Sequence, residues 1–184
     1  MVEYIDLGLP SGKKWMKCNL GASKPTEYGD YYAWGEITPR ATDTFTEENF
    51  KGNETLTSGK LDPSEDAVHQ LLGGNWYMPT KDDFQELCDT ANCTNEWVTD
   101  YEGSGVNGRL FTSVRNGNGL FFPASGGCSG SGLVSAGSLG FCWSSTSYSS
   151  TSSAYALHFN SGLVICTLPY LRFCGLPVRG VCCE

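Results

Sequence analysis

Nine cysteines and two histidines are the most reactive side chains this 184-residue sequence offers. A thiolate can attack an electrophile, ligate zinc or pair as a disulfide, and each use demands a spacing. Structural zinc needs four ligands, and metal or redox thiols recur as Cys-x-x-Cys. No such pair occurs here. The step from Cys88 to Cys93 falls in and just after a helix-like segment, and only His69 and His158 could complete a ligand set. The cysteine count is odd and Cys182 and Cys183 are adjacent, so the nine do not read as a disulfide framework. Free thiols in a reducing compartment are the expectation, with no metal and no cofactor.

A second feature is the restricted alphabet of the C-terminal third. Lys, Glu, Gln, Met and Trp occur twenty-six times in residues 1–109, yet between Leu110 and Cys183 only Trp143 belongs to that set. The fixed charges in that stretch are Arg115, Arg172 and Arg179. In their place stand Leu163, Ile165, Cys166, Leu168, Tyr170, Leu171, Phe173, Cys174 and Leu176, a density that suggests either a buried sheet or an adhesive surface. All acids except Glu184 precede residue 110, and the net charge of −8 argues against nucleic acid or an anionic membrane as partner. No apolar run approaches the roughly 20 residues of a membrane-spanning helix. Met1 is followed by Val2, Glu3 and Tyr4 instead of a basic-then-apolar leader, so the expectation is either a protein not secreted by that route or a domain cut from something larger.

The elements that must hold these residues can be read from local chemistry. Tyr4–Leu7, the turn 8–12 and Lys14–Cys18 read as strand, turn, strand. Residues 40–60 are polar and aperiodic. Ser64-Glu65-Asp66 opens a short helix to Leu72, stopped by Gly73-Gly74. Thr80 caps a second helix that places Phe84, Leu87 and Cys88 on one face. Beyond Glu96 come short strands, at 106–114, 118–124, 141–145, 154–159, 162–168 and 177–182. Two short helices packed on small antiparallel sheets give an α+β class, read as one domain over residues 1–184. Within 154–165 the alternation assigns Tyr155, Leu157, Phe159 and Val164 to the core, and turns Ala156, His158, Leu163 and Ile165 outward.

Several of these stretches together resemble a known family. They are Asp6-Leu-Gly-Leu-Pro-Ser-Gly-Lys-Lys-Trp15, Cys18-Asn-Leu-Gly-Ala22, Glu27-Tyr-Gly-Asp-Tyr-Tyr-Ala-Trp-Gly-Glu36 and Gly73-Gly-Asn-Trp-Tyr-Met-Pro-Thr80. To these are added Trp143-Ser-Ser145, Ala154-Tyr155, Phe159-Asn-Ser-Gly162, Arg172 with Gly175, and Val178-Arg179. The combination resembles the variable proteins of diversity-generating retroelements in gut Bacteroidetes and their phages. The resemblance implies a C-type lectin fold of the formylglycine-generating-enzyme-like subtype, and a C-terminal ligand-binding surface, at about 140–177, randomised at adenines. Asparagine codons ending in a pyrimidine, mutated at both adenines, cannot reach Lys, Glu, Gln, Met or Trp, which matches the restricted alphabet.

By their place in the family motif, the implied variable positions are Phe141, Cys142, Thr146, Tyr148, Ala156, His158, Leu163, Ile165, Thr167, Leu168, Pro169, Tyr170, Leu171, Phe173, Cys174 and Leu176, with Cys166 a weaker member. Trp143, Tyr155, Leu157, Phe159 and Val164 are the scaffold set, with Arg172 and Arg179 anchoring loops through backbone carbonyls. The resemblance thus implies a non-enzymatic display protein. Its partner would be a protein or glycan on a target cell, and its place a phage virion or a bacterial cell surface; the oligomeric state is left open. A fixed structural or adhesive domain of the same fold is the alternative. A cysteine-dependent oxidase is a further one, but Cys166 and Cys174 lack the spacing of the formylglycine-generating enzymes. Iron oxygenases of this fold need three histidines where this chain has two. The Glu-Pro-Asn and Trp-Asn-Asp signatures of calcium-dependent sugar binding are also missing.

Overall fold

A computed structural model describes residues 1–183. The two ends of the chain meet in one sheet. The strands β1 (Tyr4–Ile5) and β2 (Lys14–Met16) form the expected N-terminal hairpin, and β12 (Val181–Cys182) inserts between β2 and β3 (Trp76–Tyr77). Trp15 pairs with both Ile5 and Val181 and is fully buried, so the last strand closes over the first hairpin.

The helices follow from their caps. In α2 (Lys81–Cys88) the Thr80 hydroxyl accepts from the Asp83 N–H at 3.2 Å, and the Asp83 carboxylate accepts from the Thr80 N–H at 2.8 Å. The Thr80 cap is the one read from the sequence; the return bond to Asp83 completes a reciprocal box, and Phe84 and Leu87 go into the core. For α1 (Ala67–Leu72) the expected start shifts by two residues: Pro63–Glu65 makes a single 3₁₀ turn, and Asp66 is the cap. The reason is that one Asp66 oxygen accepts from His69 N–H at 2.9 Å while the other accepts from Met78 N–H at 2.8 Å, tying the helix to β3.

Three further antiparallel sheets complete an α+β architecture: β4–β5–β6 (Cys93–Val98, Gly108–Ser113, Gly119–Pro123), β7–β8 (Gly127–Ser129, Gly132–Val134), and β9–β10–β11 (Gly140–Ser147, Ser153–Phe159, Val164–Leu171). The polar stretch 40–60 contains no helix or strand. No helix among the described residues is long and apolar enough to cross a membrane.

The β9–β11 sheet is a partition between two cores. On one side Cys142, Leu157 and Phe159 pack with Trp15, Phe84, Phe111 and Phe122. On the other Trp143, Ala154 and Ala156 pack with Trp34, Met78, Leu176 and Val178. Contact is so close on the first side that a Cβ at Gly140 would lie 2.0 Å from Phe159 Cζ, which is why only glycine fits there. The second side corrects the expected outward face. Leu157 and Phe159 are buried as read, and Tyr155 and Val164 half-buried, but Ala156 is also fully buried, opposite Trp143 and Leu168. The alternation separates the two faces as expected; what it could not show is that the second face is covered too. Register shifts on both sides of Ala156 mark where the strand bends between the cores.

Candidate binding surface

The edge strand β11 carries most of the accessible apolar side chains predicted for the site. Six of its eight residues are apolar, yet none is buried. Ile165 and Leu171 are 38% and 45% exposed, and Leu163 in the preceding turn is 43% exposed. Val164 and Cys166 lean on the first core, and Leu168 and Tyr170 on the second, leaving Ile165, Pro169 and Leu171 to solvent. Neighbouring β10 adds His158. Its ring stacks on Phe141 at 4.6 Å between centroids, with Nδ1 3.1 Å from the Gly140 carbonyl, and burial holds its pKa below the usual value. Tyr170 also meets Phe141, the rings tilted at 50° with centroids 4.9 Å apart.

The remaining predicted positions divide. Tyr148 is half-buried and meets Tyr155 edge to face at 5.4 Å, with Lys81 Nζ 5.5 Å from the Tyr155 ring. Thr146 is half-buried and accepts from the Lys81 N–H at 3.0 Å, so it also anchors the start of α2. Thr167, Leu168 and Phe173 are half-buried and Pro169 exposed. Five positions are removed from the surface. Phe141 is capped by His158 and Tyr170; Cys142 faces the first core opposite Leu157; Ala156 lies opposite Trp143. Cys174 and Leu176 are buried because the chain turns inward after Leu171, and Leu176 exchanges two backbone hydrogen bonds with Tyr32, each 3.0 Å. From Arg172 to Cys182 only Phe173 retains partial exposure, so the accessible part of the predicted surface ends there.

A rigid frame lies beneath. Arg172, 1% exposed, donates from Nε to Ser153 O at 2.8 Å, from Nη1 to Asn53 O at 3.0 Å, and from Nη2 to Ser150 O at 3.1 Å and to Leu56 O, with its Cζ 4.4 Å from the centroid of the Trp34 ring. Arg179 donates to Phe121 O at 2.7 Å and Asn19 Oδ1 at 2.9 Å, and burial draws its pKa down to about 10. Both arginines therefore hold backbone and loop in place, as the sequence suggested. Trp34 and Trp143 are pinned too, their indole N–H groups donating to Ser144 O and Tyr32 O, each at 2.8 Å.

One element of the surface went unread in the sequence. Phe50, Glu47 and Glu54 from the 40–60 stretch join Thr151, Ser152, Leu171, Arg172 and Phe173 around a cleft of about 510 Å³. The only available signal was the aromatic pair Phe45 and Phe50 within a polar segment; Phe45 is fully buried and fixes the stretch to the body.

Burial keeps several of the thiols protonated. Burial pushes Cys93 and Cys174 up to about 11 and Cys128 and Cys142 to about 12, and raises Cys88 as well. Among the described residues no three His, Cys, Asp or Glu side chains converge in a way that could hold a metal ion. Compared with known proteins, the chain matches no family model, no curated protein and no solved structure.

Proposed function

We propose that this protein is a non-enzymatic ligand-display module. Its scaffold would be a C-type lectin fold of the formylglycine-generating-enzyme-like subtype, and its outward β10–β11 surface the part varied by retroelement mutagenesis. The ligand would be a protein or glycan on a target cell, met from a phage virion or a bacterial surface. The observation that carries this reading is β11, the edge strand of the packed partition, in which none of the eight residues is fully buried and Ile165, Pro169 and Leu171 are exposed. An unshielded apolar edge is an aggregation hazard unless it has a partner, and tyrosine with aliphatic neighbours is the composition of binding hot spots.

The reading requires that outward side chains contribute little to folding. Replacing Leu163, Ile165 and Leu171 together with Ser should lower stability by no more than about 1.5 kcal/mol, since surface changes stay within about 0.5 kcal/mol each. Phe159→Ala, a fully buried aromatic, should cost roughly 3–5 kcal/mol. If the triple variant melts as early as Phe159→Ala, β11 is a structural element and not a displayed one. The burial of Phe141, Cys142, Ala156, Cys174 and Leu176 favours a second reading, a fixed adhesive domain of the same architecture. Free variation at those five positions would disrupt the cores that hold them.

A further inference from the structure

We propose that the cleft between Phe50 and Phe173 binds a cationic side chain, lysine or arginine, presented by a protein ligand. This rests on the ligand-display reading and names the chemistry that reading leaves open. The lining is specific in what it offers. Phe50 and Phe173 are half-buried and Leu171 is exposed, giving ring faces and an aliphatic wall. Glu47 and Glu54 are exposed, and neither carboxylate has an ion-pair or hydrogen-bond partner among the described residues. The one basic residue of the lining is Arg172, and its four hydrogen bonds to carbonyls leave no open fork for an anion.

Each alternative ligand chemistry meets a mismatch. An anion would face two unpaired carboxylates. A purely apolar group would strip water from them without replacing it, which is unfavourable. A sugar could stack on the rings and meet the Thr151 and Ser152 hydroxyls, but a neutral ligand leaves the charge of the two carboxylates uncompensated. A cation with an aliphatic stem suits both features, its charge near the carboxylates and aromatic rings of the lining and its stem against the apolar wall to which Leu171 belongs. About 510 Å³ lies within the usual size range for ligand sites and has room for a long side chain with the backbone bearing it. The net charge of −8 adds long-range attraction for a basic partner.

The test is an amide-resonance titration of the full chain with N-acetyl-arginine amide, using N-acetyl-norleucine amide and methyl glucoside as comparators. The arginine derivative should move resonances of residues 47–54, 151–152 and 171–173 with weak, salt-sensitive affinity. Glu47→Gln and Glu54→Gln, both exposed and expected to fold normally, should each weaken it roughly two- to fivefold. Phe173→Leu should weaken it further, with a melting curve confirming an intact fold. The proposal is overturned if no probe moves those resonances, if either comparator binds as well as arginine, or if the Glu→Gln variants bind arginine unchanged. The triple-Ser test changes Leu171 of the cleft wall but reads melting and not binding, so loss of this proposal alone would leave the display reading standing.

Discussion

Arg172→Lys is the sharpest probe of the frame beneath the surface. The guanidinium joins Ser150 of the β9–β10 turn and Ser153 at the start of β10 to Asn53 and Leu56 of the 40–60 stretch, at the point where β11 ends. Lysine keeps the buried charge but projects its donors from a single atom, and cannot serve carbonyls arrayed around a planar fork. Leaving two carbonyls unpaired costs about 1–3 kcal/mol each, and loss of the Trp34 stacking adds about 0.5–2 kcal/mol. With some relief from water entry, a loss of about 3–5 kcal/mol is expected. At about 2–4 °C per kcal/mol for a chain of this size, the melting temperature should fall by roughly 6–20 °C. Urea denaturation followed by circular dichroism and tryptophan fluorescence measures the free energy directly. An Arg172→Lys protein within about 0.5 kcal/mol of the parent would refute the reasoning, because four buried contacts would then be worth no more than a surface substitution. Arg172→Met separates charge from contact: if it is better tolerated than Lys, the penalty lies in the buried charge.

Iodoacetamide at about pH 8 should label exposed Cys183 first, while Cys88, Cys93, Cys128, Cys142 and Cys174, whose pKa values burial raises, stay as thiols and react only on unfolding. Mass spectrometry of native, labelled protein checks this, and labelling of any buried cysteine at the Cys183 rate counts against it. His158 gives a pH signature. Its folded pKa is lowered by burial, against an opposing pull from the Gly140 carbonyl, so below the ordinary value of 6.5 the unfolded chain binds a proton the fold resists. Stability relative to a His158→Gln variant should therefore decline as pH falls from about 7.5 to about 5.5, and equal slopes for the two proteins would dismiss the effect.

Much of the local architecture was legible because it is local. The N-terminal hairpin and the Thr80 cap follow from short-range chemistry that few tertiary contacts can override, whereas Arg172 and Arg179 anchor partners far along the chain, Asn53 and Leu56 for one and Asn19 and Phe121 for the other. The start of α1 was misplaced because Asp66 is chosen as cap partly by Met78, twelve residues away. The strand β4 was unread because Asn95 and Glu96 at its centre have poor strand propensity and it lies on an edge, and β7 and β8 are too short for a period to show. At the surface, the phase of the alternation along β10 was readable, but Ala156 suits solvent or core equally, and only the second core decides. The cleft was invisible for a different reason: its walls come from segments about a hundred residues apart.

The central claim, that the outward β10–β11 surface is diversified at adenines, is tested most directly by sequencing the DNA around the gene and comparing its 140–177 segment with any near-copy nearby. The account predicts a template copy that differs from the gene almost only where the template has adenine. Those differences should concentrate in codons for accessible positions such as Leu163, Ile165, Tyr170 and Leu171, and spare Trp143, Leu157 and Phe159. A near-copy whose differences fall evenly over all four bases, or a locus with no near-copy at all, would contradict it and leave the fixed adhesive domain as the better description.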